Sequence, residues 1–112
     1  MERVSEVINN IYQKYLPIAK QFGITLDLDF PDITLTVHEK ERIKESVDKH
    51  MRLAVDRSKN TKNARIIIAV RPGKITITDN GTTFSKSTSE LISSEHIKVK
   101  SRVGFGTTVT IE

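Results

Sequence analysis

The chain has 112 residues, 37% hydrophobic and 29% charged, with a formal net charge of +4. That length and balance fit one globular domain with a single core, spanning residues 1–112. The absence of Cys excludes disulfides, thiolate nucleophiles and zinc ribbons. No apolar run is as long as a bilayer-spanning helix and no signal-peptide pattern opens the chain, so the sequence reads as a cytoplasmic domain, including one cut from a longer receptor. Trp is absent and aromatics are few, which makes the expected core aliphatic.

Val4, Val7, Ile8, Ile11, Tyr15, Ile18 and Phe22 recur at helical spacing and predict a helix from Val4 to Phe22. Pro17 should kink it and Gly23 should stop it. Ile24, Leu26, Leu28 and Phe30 then alternate with Thr25, Asp27 and Asp29, and Ile33, Leu35 and Val37 alternate after Pro31-Asp32. Residues 24–37 therefore read as a hairpin. A second helix is expected over 39–58, with a charged, acidic start. Arg57, Lys59, Lys62 and Arg65 form a basic cluster that could draw phosphate or nucleic acid. Interrupting Asn and Ser and the lack of aromatics read it as a solvated loop instead.

Arg65 to Val70 is a continuous apolar run of strand length, as expected of a central strand covered on both faces. Pro72-Gly73 turns the chain into a strand over 74–79. Residues 82–94 are rich in Ser and Thr and read as a loop with one helical turn near Glu90. His96 to Lys100 and Gly106 to Glu112 form the last strand pair, joined through a turn at Gly104. Strands grouped between and after two long helices argue for a two-layer α/β sandwich, a mixed sheet packed on two helices.

Strand parity singles out two polar residues. Side chains repeat every second residue, so Asp79 shares the face of Ile75 and Ile77, and Thr107 shares the face of Val109 and Ile111. An inward carboxylate is costly unless hydrogen-bonded, so Asp79 needs a partner. Asp79-Asn80-Gly81 is also good turn chemistry, and starting a turn is the simpler role for it.

A strand ending in Asp79-Asn80-Gly81, followed by a closing strand entered through Gly104-Phe105-Gly106-Thr107-Thr108, resembles the ATPase domain of sensor histidine kinases. That domain shares its fold, often called the Bergerat fold, with gyrase, the mismatch-repair ATPases and a heat-shock chaperone. Residues 15–26 are similar to the opening segment of the family, and Arg42-Ile43 to the start of its second helix. The ordered set, covering nearly the whole chain, carries the resemblance. It implies that Asp79 meets the adenine amino group of ATP or ADP, that Thr107 holds a water against the ring and that Gly81 lies beside them. It also implies a kinase dimerisation domain or a response regulator as partner.

The same resemblance exposes departures. Leu53 stands where the family has an asparagine that ligates Mg²⁺, Lys49 replaces a polar residue one turn earlier, and Asp56 replaces a phosphate-contacting base; Ala54 is kept. Leucine has no oxygen for a hard cation, so Mg²⁺ is doubtful. Glu45 and Asp56 could hold an ion only in another geometry. Thr82-Thr83-Phe84 replaces the expected glycine, and residues 82–95 are too few for the family's ATP lid, whose backbone amides cradle phosphate. His38, His50 and His96 lack metal-ligand spacing, and His50 near the core arc reads as structural.

Three functions compete. One is a degenerate nucleotide-binding signalling domain with weak adenine affinity and little transfer. The second is a non-catalytic protein-interaction module. The third is a basic nucleic-acid binder, disfavoured by the lack of an aromatic-bearing basic face.

Overall fold

The computed structural model describes residues 2–29, 36–37, 40–59, 61–71, 74–81, 97–102 and 106–111. In chain order the elements are β1 (Glu2–Arg3), α1 (Val4–Gln21), β2 (Thr25–Asp29), β3 (Thr36–Val37), α2 (Lys40–Ser58), β4 (Arg65–Arg71), β5 (Lys74–Asp79), β6 (Ile97–Arg102) and β7 (Gly106–Ile111). Five strands form one mixed sheet in the order β2-β4-β5-β7-β6, and β1 pairs with β3 in a separate two-stranded sheet. Both helices pack on one face of the large sheet, giving the two-layer sandwich.

Helix α1 runs through Pro17 and ends where the sequence says it should. Gly23 takes a positive φ of 70°, and the amide of Ile24 reaches back to the Ala19 carbonyl at 2.8 Å while that of Gly23 bonds Lys20 at 3.2 Å. This is the Schellman arrangement that satisfies the orphan carbonyls of a helix end. Val7, Ile8, Ile11, Tyr15 and Ala19 form the buried stripe, while Phe22 lies outside it beneath the Lys59 ammonium, 4.7 Å from its ring centre. The Tyr15 hydroxyl donates to the Asp48 carbonyl at 3.1 Å and carboxylate at 3.0 Å, tying α1 to α2. Burial first, and then the bond to Asp48, push its pKa up to about 12.

Residues 24–37 are not a hairpin. β2 pairs in parallel with β4, and β3 pairs instead with β1. The alternation in each segment was real, but the better apolar partner for Leu26 and Leu28 is the Ile66-Ile67-Ile68 strand that arrives after α2. The two-residue β1 is too short for any periodicity to announce it. β4 is central as expected, yet covered fully on one face only: Ile66, Ile68 and Val70 are buried, while Ile67 and Ala69 are half-exposed on the outer face. The expected turns at Pro31-Asp32, Pro72-Gly73 and Gly104, the loop at 82–94, and His38 and His96 lie outside the described residues.

The inner face of the sheet is built of rows. Val70, Ile75, Ile111 and Ile97 are register partners, and so are Leu28, Ile68, Ile77, Val109 and Val99. The outer face carries Thr76 opposite Thr110 and Thr78 opposite Thr108, with Asp27–Arg65 and Asp29–Arg71 ion pairs toward the β2 edge. Ile77 sits at the middle of its row and is fully buried. Ile77→Ala is expected to cost about 2–5 kcal/mol in urea unfolding, the range for such core truncations. Thr78→Ala, one residue along on the outer face and 3.4 Å from the Thr108 hydroxyl, should cost no more than about 1 kcal/mol. Equal costs would mean that the two faces are not divided as described.

Candidate functional site

The third inner row differs from the other two. It runs Leu26, Ile66, Asp79 and Thr107, so two apolar residues are followed by a carboxylate and a hydroxyl. Asp79 and Thr107 are cross-strand partners on β5 and β7, and both are buried. Parity alone placed them on this face, and the sheet register brings them side by side.

The Asp79 carboxylate is satisfied from within the chain. Its Oδ2 accepts from Nε of Arg57 at 3.1 Å and from Nη2 at 2.5 Å, while Oδ1 accepts the amide of Gly81 at 3.0 Å. Arg57 sits in the last turn of α2, and the two side chains are 1% and 0% exposed. The reading of Arg57 as part of a solvated loop is therefore corrected. Its position was legible: it continues the 43, 47, 50, 54 spacing by one more turn, so it belongs to the core stripe of the helix. The rest of the basic cluster is dispersed. Arg65 pairs with Asp27 on the outer face, and Lys59 reaches Asp56 at 3.8 Å and covers Phe22.

Backbone contacts hold the same corner. Asn80 accepts the Arg65 amide on its Oδ1 at 2.7 Å and donates through Nδ2 to the Asn63 carbonyl at 3.0 Å. Asn80 thus stitches the end of β5 to the start of β4. Gly81 passes so close to the end of α2 that a Cβ there would lie 2.9 Å from the Arg57 carbonyl oxygen. Gly106 has a φ of 100°, and a Cβ on it would overlap the Asp79 carbonyl oxygen. Both glycines are packing requirements of this corner.

Two further polar groups of α2 lie near it. His50 is buried, and its Nδ1 has no hydrogen-bond partner among the described residues; the Ser58 hydroxyl is likewise buried without one among them. Burial pulls the His50 pKa down from 6.5 to about 4, with smaller contributions from the positive charges of Lys49 and Arg57. His50 is thus a neutral core imidazole, as the core arc suggested.

Leu53 is buried at 1% exposure, while Lys49, Glu45 and Asp56 are exposed. The residues present do not fit Mg²⁺ at this position, since Leu53 has no donor oxygen. Glu45 and Asp56 are eleven residues apart on one helix, about 16 Å along its axis, which is too far to share an ion. Among the described residues no three His, Asp or Glu side chains gather in a metal-binding group.

The sequence matches no protein-family model and no curated protein. Its fold does have close counterparts among solved structures. The catalytic domain of histidine kinase ThkA superposes with a TM-score of 0.73 at 16% identity, covering 98% of this chain and 94% of that one. The fold is that of a histidine kinase catalytic domain. Acinetobacter baumannii histidine kinase AdeS gives a TM-score of 0.67 at 13% identity, covering 97% of this chain and 64% of that one. Histidine kinase ThkA in complex with response regulator protein TrrA gives 0.65 at 13% identity, over 98% of this chain and 40% of that one. Among the described residues no helix is long and apolar enough to cross a membrane.

The depressed His50 pKa has a defined pH signature. Well above pH 6.5 the imidazole is neutral folded and unfolded, and it contributes no pH dependence. Between 6.5 and about 4 the unfolded chain takes up a proton that the folded chain refuses, so stability falls with falling pH. Below 4 the loss levels off at about 3 kcal/mol. Urea midpoints measured from pH 7 to pH 4 should drop more steeply for the wild type than for His50→Gln. Parallel slopes would mean that His50 titrates normally.

Proposed function

We propose that this chain is a reduced histidine-kinase-type ATP-binding domain of a signalling system, with a weak adenine-nucleotide site at Asp79, Gly81 and Thr107 and little or no phosphoryl transfer. The observation that carries the reading is the third inner row: a buried carboxylate and a buried hydroxyl side by side at the end of apolar strands, in the fold of the histidine kinase catalytic domains. A carboxylate there can accept an exocyclic amine, and the adjacent hydroxyl can hold a water or a ring nitrogen. Buried Leu53 in place of an oxygen ligand, and Asp56 in place of a phosphate-contacting base, support weak or absent transfer, which relies on metal and cationic groups to neutralise developing charge. A kinase dimerisation domain or a response regulator is the partner class that fits this fold.

A second reading, a protein-interaction module without nucleotide, has an observation of its own. The Oδ2 atom of Asp79 is already held by two Arg57 donors. The nucleic-acid reading loses its support, because the basic cluster is split between the core and the outer face.

Nucleotide titration followed by backbone amide NMR separates the first two readings. AMP, ADP and ATP should shift the amides of residues 79–81 and 106–108 with similar weak affinities, because nothing described rewards the γ-phosphate. Thr107→Val and Asp79→Asn should each weaken AMP by about 1–3 kcal/mol, the cost of a lost or unpaired hydrogen bond. Thr107→Val leaves the Arg57–Asp79 pair in place and is the cleaner of the two. Strong Mg²⁺-dependent selection of ATP, or robust turnover, would overturn the reading of a reduced domain. No shifts at millimolar AMP, ADP or ATP would favour the interaction module.

A further inference from the structure

We propose that Arg57 is a built-in occupant of the nucleotide acceptor, so that adenine nucleotide binds only to the state in which the guanidinium has left Asp79. This rests on the reading of Asp79 as the adenine-side residue and adds a regulatory element to that site. Both guanidinium donors converge on one oxygen, Oδ2, from Nε at 3.1 Å and Nη2 at 2.5 Å. The other oxygen is engaged by the Gly81 amide at 3.0 Å. A planar cation with N–H donors therefore occupies the atom to which an exocyclic amine would donate.

The competition is unequal. The guanidinium bonds are charge-assisted, which makes them stronger than those a neutral amine can make. The pair is desolvated on both sides, so water cannot share the carboxylate and soften the exchange. Arg57 is also anchored on the helix end against which Gly81 is packed, so its departure is coupled to the corner that frames the site. When the competent state is a minor one, apparent affinity falls in proportion to its population. Arg57 thus sets the affinity of the site without being part of it. Any partner that draws the end of α2 or its arginine away from Asp79 raises nucleotide affinity, and nucleotide by linkage raises affinity for that partner.

The test is titration of AMP into the wild type and into Arg57→Gln, which keeps a neutral donor beside Asp79 but removes the cation. Arg57→Met, which removes both the cation and its donors at similar side-chain length, serves as the second variant if the first does not fold. AMP is expected to bind the variant at least tenfold more tightly. In the wild type, the Arg57 Nε–H resonance should lose its hydrogen-bonded position as AMP saturates. Equal or weaker binding by a folded variant, or a wild-type Arg57 signal that stays put while AMP shifts the amides of residues 79–81, overturns the gate but leaves the nucleotide site standing. Absence of AMP binding in the wild type and in both variants overturns the site itself and the gate with it.

Discussion

The corner where α2, β5 and β7 meet depends on a single buried ion pair between Arg57 and Asp79. Much of what surrounds it is aliphatic: Ile66 on one side in the row, Ile77 one step along β5, Leu53 and Ala54 one turn back on α2. In such surroundings an unpaired carboxylate or guanidinium is too costly to keep charged, and losing one partner of a buried pair typically costs about 3–5 kcal/mol. The pair therefore fixes the end of α2 against the end of β5. Two glycines without side chains are needed for the backbone to close around it, Gly81 against the helix end and Gly106 against the Asp79 carbonyl.

That constraint links packing to function. In the proposed reading, the polar end of an otherwise apolar row is the place for a ligand that carries both a ring and an amine. The same carboxylate is also what anchors the helix. On the proposed nucleotide reading, ligand recognition and helix anchoring would draw on one set of lone pairs. His50, two turns back on the same stripe, stays neutral because burial and the nearby cations disfavour its protonation. Its neutrality avoids adding a further buried positive charge near Arg57.

The fold is shared with histidine kinase catalytic domains at identities of 13–16%. What persists at that distance is the two-layer architecture, which many aliphatic sequences can satisfy. The chemistry on α2 is a separate matter. Leu53 is buried where a polar ligand is expected from the resemblance, and Lys49, Glu45 and Asp56 on that helix face solvent. The architecture survives these exchanges because the sheet rows, the α1–α2 contact tied through Tyr15 and Asp48, and the Arg57–Asp79 pair hold it without an oxygen ligand in place of Leu53 or a base in place of Asp56.

Much of this was written into local pattern. Helical spacing defined both helices, Gly23 ended the first, and period-two alternation assigned Ile75, Ile77, Asp79, Thr107, Val109 and Ile111 to one face. Those signals are local because helix and strand geometry repeat over a few residues. Which strands meet was decided only in three dimensions. Residues 24–37 read as a hairpin because each segment alternates, yet β2 pairs across the intervening helix with β4, where Leu26 and Leu28 lie beside Ile66 and Ile68. The partner of Asp79 was hidden for the same reason. Sequence showed that the carboxylate needed one, and the spacing of α2 put Arg57 on the core stripe. Only the packing of that helix across the sheet determined that, over a separation of 22 residues, those two side chains meet.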